Sequence, residues 1–458
     1  MRRVSPLAVA GFGVATGAGL IAYGLVLGAS GALWTAAGLG LAGITLFATR
    51  AVPEVVAAIA IFLVALGLGT APRDIIFSGF MSGGFWLIVS GIILGTAITA
   101  TGLAARISGR LFALAGPSYG RATLVIATTG LLLGILVPST MPRVIVMVPV
   151  AAAFAERLGL DPKGRGGIGL IATAVTATLL PTYTILTANL PTIVHVGAMQ
   201  QSYGIASTYS EYMIQQWPVN ALRFLLIVIL MMRFTTETPV CAADDAAGAA
   251  PHRPEQRRLL IVLGVAILGW MTDFLHGIEP AWIAMAAAAI VIWPRFGMLD
   301  GNAMRERIDF SPPIFFAALV TVVAVAREAG LDQVLADLFI ARLPLSPAGD
   351  LSSVYAVYGF SVVISHLTTA PAAPAVLVPF AASLSEATGL SLKAVSMVQM
   401  IGIATPVLAY QAPPLIVAMS ISTVPNAVFV RLCVWLALAV SLIGLPLTYL
   451  WWQVIGFV

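Results

Sequence analysis

The chain has 458 residues, of which 60% are hydrophobic and only 9% charged, with a mean hydropathy of +1.00. A soluble domain carries roughly 25% charged residues, so the composition excludes a water-soluble globular protein and places the chain in a bilayer. The formal net charge of +4 does not point to nucleic acid, because the arginines are spread over loops between apolar runs, where membrane topology accounts for them.

Apolar runs able to cross a hydrocarbon layer of roughly 30 Å as helices recur from end to end, and the alternating ten-residue strands of a barrel are absent. After Met1-Arg2-Arg3 the first run continues to about Leu27 without a small-residue cleavage site, so it reads as a transmembrane helix and not a cleaved signal. Spans are predicted at 7–28, 32–49, 53–70, 85–104, 167–188, 218–234, 258–275, 280–294, 311–328, 394–418 and 431–452. The predicted fold is therefore an all-α integral membrane protein of about eleven transmembrane helices. Cys241 and Cys433 lie far apart without metal-ligand spacing, and neither a disulfide framework nor a metal centre is indicated.

Two stretches interrupt the pattern. "LVPSTMPRVIVMVPVAAAFAERLGL", from Leu136, and "VISHLTTAPAAPAVLVPFAASLSEATGL", from Val363, superimpose with an offset of 230 residues: Pro149 meets Pro379, Ala151-Ala152 meets Ala381-Ala382, Glu156 meets Glu386, and Gly159-Leu160 meets Gly389-Leu390. Read as re-entrant hairpins at about 121–155 and 351–385, they leave Arg73, Arg327, Arg342 and Lys393 outside and Arg143 and Arg223 at membrane depth. All others of the 23 Lys and Arg residues fall on the cytoplasmic side, as the positive-inside rule requires. The N-terminus is then cytoplasmic, the C-terminus outside, and the two repeats are inverted. The domains read as N-terminal scaffold helices (1–84), a first repeat (85–234), a cytoplasmic linker (235–257), further scaffold helices (258–310) and the second repeat (311–458). Half-crossing segments in corresponding places of inverted halves mark the binding site of a secondary transporter.

Hydroxyl residues cluster at the hairpin tips: Ser139 and Thr140 in the first, Ser365, Thr368 and Thr369 in the second. Non-helical backbone at membrane depth belongs inside protein or along a watery cavity, where helix ends offer amides to an anion and carbonyls to a cation. Taken singly, such residues also serve close helix packing. Downstream of each hairpin, prolines break a helix: Pro181 and Pro191 bracket Thr187 and Asn189, while Pro406 and Pro413-Pro414 bracket Tyr410 and Gln411. Freed carbonyls beside an amide side chain suit a sodium ion. Arg143 at such depth either meets an anion or is paired internally. Glu156 and Glu386 read as solvated hairpin ends, and the run Gly83 to Gly95 as a packing surface.

At the hairpins the sequence resembles the divalent anion sodium symporter family of the ion transporter superfamily. That family carries a Ser-Asn-Thr triplet ten residues before a proline; here Ser139 precedes Pro149, and Thr369 precedes Pro379, by ten. "FWLIVSGIILGTAITATGLAARIS" from Phe85, "ILTANLPTIV" from Ile185 and the "YQAPP" run at Tyr410 also match, over most of the chain from about Leu46. The resemblance implies a homodimer whose transport domain moves like an elevator against a scaffold, taking up or exchanging dicarboxylates, tricarboxylates or sulfate, with sodium as coupling ion. By position it implies contacts at Ser139, Thr140 and Met141, at Thr369, Ala370 and Pro371, and at Asn189. The triplet's asparagine is replaced by Thr140 in one hairpin and Ala370 in the other.

The sequence thus predicts a small anion bound by Ser139, Thr140, Arg143, Thr368, Thr369 and Pro371. It predicts sodium at Ser139, Thr187, Asn189, Thr369, Gln411 and Ala412. The expected setting is a bacterial-type inner membrane, with lipid and a second copy of the chain as neighbours and no other cofactor. A cation/proton or metalloid exporter of the same superfamily, a non-transporting sensor and a membrane enzyme remain as alternatives. No HExxH, P-loop or Gly-x-Ser-x-Gly motif supports the last of these.

Overall fold

The computed structural model describes residues 6–49, 51–103, 106, 116, 118–137, 139–234, 254–294, 297–299, 308–331, 333–334, 345, 347–408 and 411–458. Among these every regular element is helical. Seven helices are long and apolar enough to cross a membrane, and shorter apolar ones join them. Helices Pro6–Leu27 and Ala32–Thr49 pack along each other at the N-terminus.

After this pair the elements recur in one order. Glu54–Leu68, Gly83–Ala100, a hairpin, the broken pair Arg165–Leu179 and Leu190–Tyr203, and Tyr209–Met232 form the first half. Pro280–Val291, Ser311–Glu328, a hairpin, the broken pair Leu392–Ile403 and Pro413–Ile421, and Asn426–Ala439 with its continuation to Val454 form the second. The halves interlock reciprocally: Glu54–Leu68 packs on Ser311–Glu328, and Pro280–Val291 packs on Gly83–Ala100. Likewise Leu190–Tyr203 meets the second hairpin at Ala373–Leu377, and Pro413–Ile421 meets the first at Thr140–Arg157. Each hairpin returns to its own side. From the start of Gly83–Ala100 to the start of Ser311–Glu328 the chain therefore crosses with that helix, the first broken pair, Tyr209–Met232, Pro254–Met271 and Pro280–Val291. That number is odd, so the halves are inverted.

The first hairpin starts two residues before the predicted 121 and the second at the predicted 351, while both run two or three residues past their predicted ends, to Arg157 and Thr388; side-chain caps fix both starts. Ser118 accepts from the amide of Arg121 at 3.4 Å to start Tyr119–Leu136, and Asp350 accepts from Ser353 N at 3.0 Å to start Leu351–Leu367. The returning arms differ. In the first, Pro149 sits inside the continuous helix Thr140–Arg157; in the second, Pro379 lies in a 3-10 turn, Val378–Phe380, between Ala373–Leu377 and Ala381–Thr388. The matched Gly-Leu pairs have one cause: Gly159 and Gly389 both take φ of 71°, the left-handed conformation that ends a helix at low cost only in glycine. Glu156 and Glu386 are exposed one turn earlier, as solvated hairpin ends should be.

Arg165–Leu179 packs on both arms of the first hairpin, and Leu392–Ile403 packs along the first arm of the second. The linker is shorter than predicted, because helix Pro254–Met271 already includes 254–257. Gln256 there is buried: its Nε2 donates to Thr101 O at 2.8 Å and its Oε1 accepts from Arg106 Nη1 at 2.8 Å, which anchors the helix start. Residues 235–253, with Cys241, and Tyr410 lie outside the described residues.

Candidate functional site

The tip of the first hairpin stands level with the first helix break. Helix Arg165–Leu179 stops before Pro181, which lacks the amide hydrogen that continuation needs; a 3-10 turn follows at Pro181–Thr184, and α-helical geometry resumes at Leu190. The Thr140 hydroxyl donates to Asn189 Oδ1 at 2.6 Å. Ser139 and Asn189 are the N-cap residues of Thr140–Arg157 and Leu190–Tyr203, and neither side chain caps its own helix.

Arg143 fastens this junction. Its Nε donates to Ser139 O at 3.1 Å, and its Nη2 lies 2.9 Å from Thr140 Oγ1, 2.7 Å from Ala188 O and 3.3 Å from Asn189 Oδ1. Nη1 alone has no acceptor. The side chain is 1% exposed.

The second tip meets the second break in the same manner, through backbone. Ala370 N donates to Gln411 O at 2.9 Å, and Gln411 Nε2 donates to Ser365 O at 3.3 Å. Gln411 Oε1 accepts from the amides of Val407 and Leu408 at 2.9 and 3.0 Å, so the side chain closes the break on itself. A second buried arginine, Arg223, donates to Ile401 O at 3.3 Å, Thr405 Oγ1 at 2.9 Å and Asn220 Oδ1 at 2.7 Å. It ties Tyr209–Met232 to the end of Leu392–Ile403.

All four pieces converge on one cavity of about 480 Å³, within the range of small-ligand sites. The first tip contributes Ser139 to Pro142 and the second Ala370 and Pro371; the breaks contribute Asn189 to Pro191 and Ala412 to Pro414. The first turns of Thr140–Arg157 and Leu190–Tyr203 bring amides without intrahelical partners and the positive ends of two helix dipoles, which together attract an anion. Pro413 and Pro414 lack amide hydrogens, so the third helix start contributes a dipole and an apolar wall.

Of the residues predicted for the anion, Ser139, Thr140 and Pro371 line the cavity. Arg143 stands one layer behind it, holding Thr140 and Asn189. Thr368 and Thr369 are buried at the second tip but outside the lining; Thr369 O accepts from the amides of Ala372 and Ala373, both at 2.9 Å, to start the return arm. Of the predicted sodium ligands, Ser139, Asn189 and Ala412 reach the cavity; Gln411 is turned inward and Thr187 is buried beside Tyr209.

The sequence reading missed one wall. Gly91, Gly95, Thr96 and Thr99 of Gly83–Ala100 line the cavity, with Tyr183, Phe315, Glu54 and Asp309. The spacing of Gly91, Gly95 and Thr99 puts all three on one helix face, a signal that was present but read as packing. A Cβ on Gly95 would stand 3.6 Å from Val137 in the hairpin turn, an ordinary van der Waals contact, so this wall borders the tip closely.

The profile described as sodium:sulfate symporter transmembrane region matches residues 17–458. The chain belongs to this family. It is the divalent anion sodium symporter family that the hairpin motifs resemble. A membrane protein of Cupriavidus necator is 24% identical over 398 residues, covering 83% of this chain and 77% of that one. Inner membrane protein YbhI of Escherichia coli is 22% identical over 390 residues, or 80% of each chain. The Alcanivorax borkumensis YdaH transporter shares the fold, with a TM-score of 0.57 at 17% identity over 86% of this chain and 90% of that structure. The protein is thus a multi-pass membrane protein of a transporter family.

Proposed function

We propose that the protein is a secondary transporter of a small anion, a dicarboxylate, tricarboxylate or sulfate-like species, across a bacterial-type inner membrane. One observation carries this reading. Two hairpin tips and two helix breaks from inverted halves meet at a single cavity, with two uncapped helix starts at its wall and Ser139 and Thr140 in its lining. Donors of this kind suit carboxylate or sulfate oxygens, and Arg143 behind them adds positive potential.

Glu54, which opens its helix, and Asp309, two residues before Ser311–Glu328, line the cavity and follow predicted cytoplasmic loops; this supports reading the cavity as inward-open, with the N-terminus cytoplasmic and the C-terminus outside. Transport then moves the hairpins and broken helices as one body against Gly83–Ala100, Ser311–Glu328 and their partners, in a homodimer held by the scaffold. A sodium ion, implied by the resemblance, would need oxygens that Arg143 now holds.

Purified protein in proteoliposomes, screened with labelled succinate, citrate and sulfate under sodium, proton and counter-anion gradients, tests the reading. Accumulation or exchange of at least one of them is expected. If none crosses under any gradient, the proposal fails.

A further inference from the structure

The first helix break and the first hairpin tip gather four oxygens around one guanidinium: Ser139 O at Nε, and Ala188 O, Thr140 Oγ1 and Asn189 Oδ1 at Nη2. All are neutral, and unwound carbonyls joined by hydroxyl and amide oxygens are what a membrane protein offers an alkali cation at a broken helix. Two of the residues predicted to hold sodium, Ser139 and Asn189, belong to this set. Every one of the four oxygens is bonded to the Arg143 guanidinium. Among the described residues no carboxylate pairs with that side chain, so its charge is solvated by neutral oxygens and left uncompensated.

In the other half two of the carbonyls at the tip and break are likewise engaged, while Thr368 Oγ1 is buried without a partner among the described residues. Ser365 O and Gln411 O, at the second tip and break, accept from Gln411 Nε2 and Ala370 N. The end of Leu392–Ile403 is held by Arg223 through Ile401 O and Thr405 Oγ1.

We infer that Arg143 is a resident cation standing in for a mobile one: its guanidinium occupies the oxygens where sodium would lie, so the anion binds and crosses without sodium. A bound sodium would do two things at this point. It would tie the hairpin tip to the helix break, and it would place a positive charge beside the anion. Arg143 does both through bonds to the chain's own oxygens. What it cannot do is leave the site on one side of the membrane and return from the other, so no sodium gradient is harvested. The driving force is the gradient of the anion itself or of a counter-anion. This inference rests on the proposed anion transport, but one of its tests does not.

That test is the melting temperature of the purified protein in sodium chloride against choline chloride at equal ionic strength. A ligand of the folded state raises it by mass action. No difference is expected for the wild type, and a sodium-dependent rise would overturn the inference whether or not transport is seen. In proteoliposomes, exchange of the anion found by the screen is expected at the same rate in sodium and choline media; a several-fold stimulation by sodium would overturn it. Arg143→Ala empties the oxygen set, so its melting temperature should rise with sodium, and its residual transport should gain about tenfold from sodium, one decade of binding. Arg143→Lys keeps a charge without the planar fork and should transport more slowly, still indifferent to sodium. A lysine variant stimulated by sodium as strongly as the alanine variant would refute the resident charge. If no anion crosses in any medium, the transport proposal falls, while the melting comparison still decides the cation claim.

Discussion

Thr140 Oγ1 and Asn189 Oδ1 stand 2.6 Å apart although 49 residues separate them in the chain. The contact joins the hairpin tip to the helix break at the cavity wall. Its hydroxyl also accepts from Arg143 Nη2 at 2.9 Å. Thr140→Val keeps the shape and leaves two buried polar partners short of a bond, at about 1–3 kcal/mol. Anion affinity, read by isothermal titration, is expected to fall by roughly 5- to 150-fold. Unchanged affinity would remove the tip hydroxyl from the site.

Gly134 lies where the first arm passes the guanidinium. An added Cβ would come within 2.6 Å of Arg143 Nη1 and 2.5 Å of Thr182 Cγ2. Arg143 is fixed by its four acceptors and cannot retreat, so Gly134→Ala should lower stability by about 1–3 kcal/mol. Thermal melting in detergent reads this directly; an unaltered melting curve would mean the arginine is free to move.

Phe316 is inserted between two glycines on different helices. A Cβ on Gly84 would meet its Cζ at 2.6 Å, and one on Gly197 at 2.9 Å. If the hairpins and broken helices move as one body, Gly197 slides past Phe316 and Gly84. Gly197→Ala should then slow exchange in proteoliposomes while the anion still raises the melting temperature as in the wild type. Loss of both properties together would show a folding defect and not a blocked motion.

Acid should loosen the second hairpin at its first turn. Ser352 Oγ donates to Asp350 Oδ1 at 2.7 Å and Ser353 N at 3.0 Å, and these bonds hold the carboxyl below its ordinary range. A carboxyl lowered by folding contributes stability above its unfolded pKa and loses it as pH falls through the folded one. Hydrogen exchange at Ser353 should therefore speed up, beyond its intrinsic pH trend, as the medium drops below the ordinary carboxylate range. Asp350→Asn should abolish that extra dependence.

The tips and breaks of the site were legible because their cause is local. Proline removes a helix amide wherever it stands, and glycine at 159 and 389 marks the same helix end twice. Two features were not legible. Arg143 is recognisable as costly at its depth, but its acceptors at Ala188 and Asn189 come from another element, and only the fold decides whether the side chain faces the cavity or backs it. The glycine and threonine wall of Gly83–Ala100 reads identically whether it packs on a helix or borders an opening, since either use needs small residues. The second hairpin shows the same dependence on context: Thr368 and Thr369 look like the first tip's hydroxyls, but the reversal at Ala370 and Pro371 turns them from the cavity.

The reciprocal packing of Glu54–Leu68 on Ser311–Glu328 and of Pro280–Val291 on Gly83–Ala100 has the form of an isologous contact between two copies of one unit. Each unit presents an apolar face that its twin covers. A lone half would therefore expose those faces to lipid unmatched, and truncation at any point between the units should yield no autonomous folding fragment. Damage introduced on one side should be felt as a single cooperative unfolding of both.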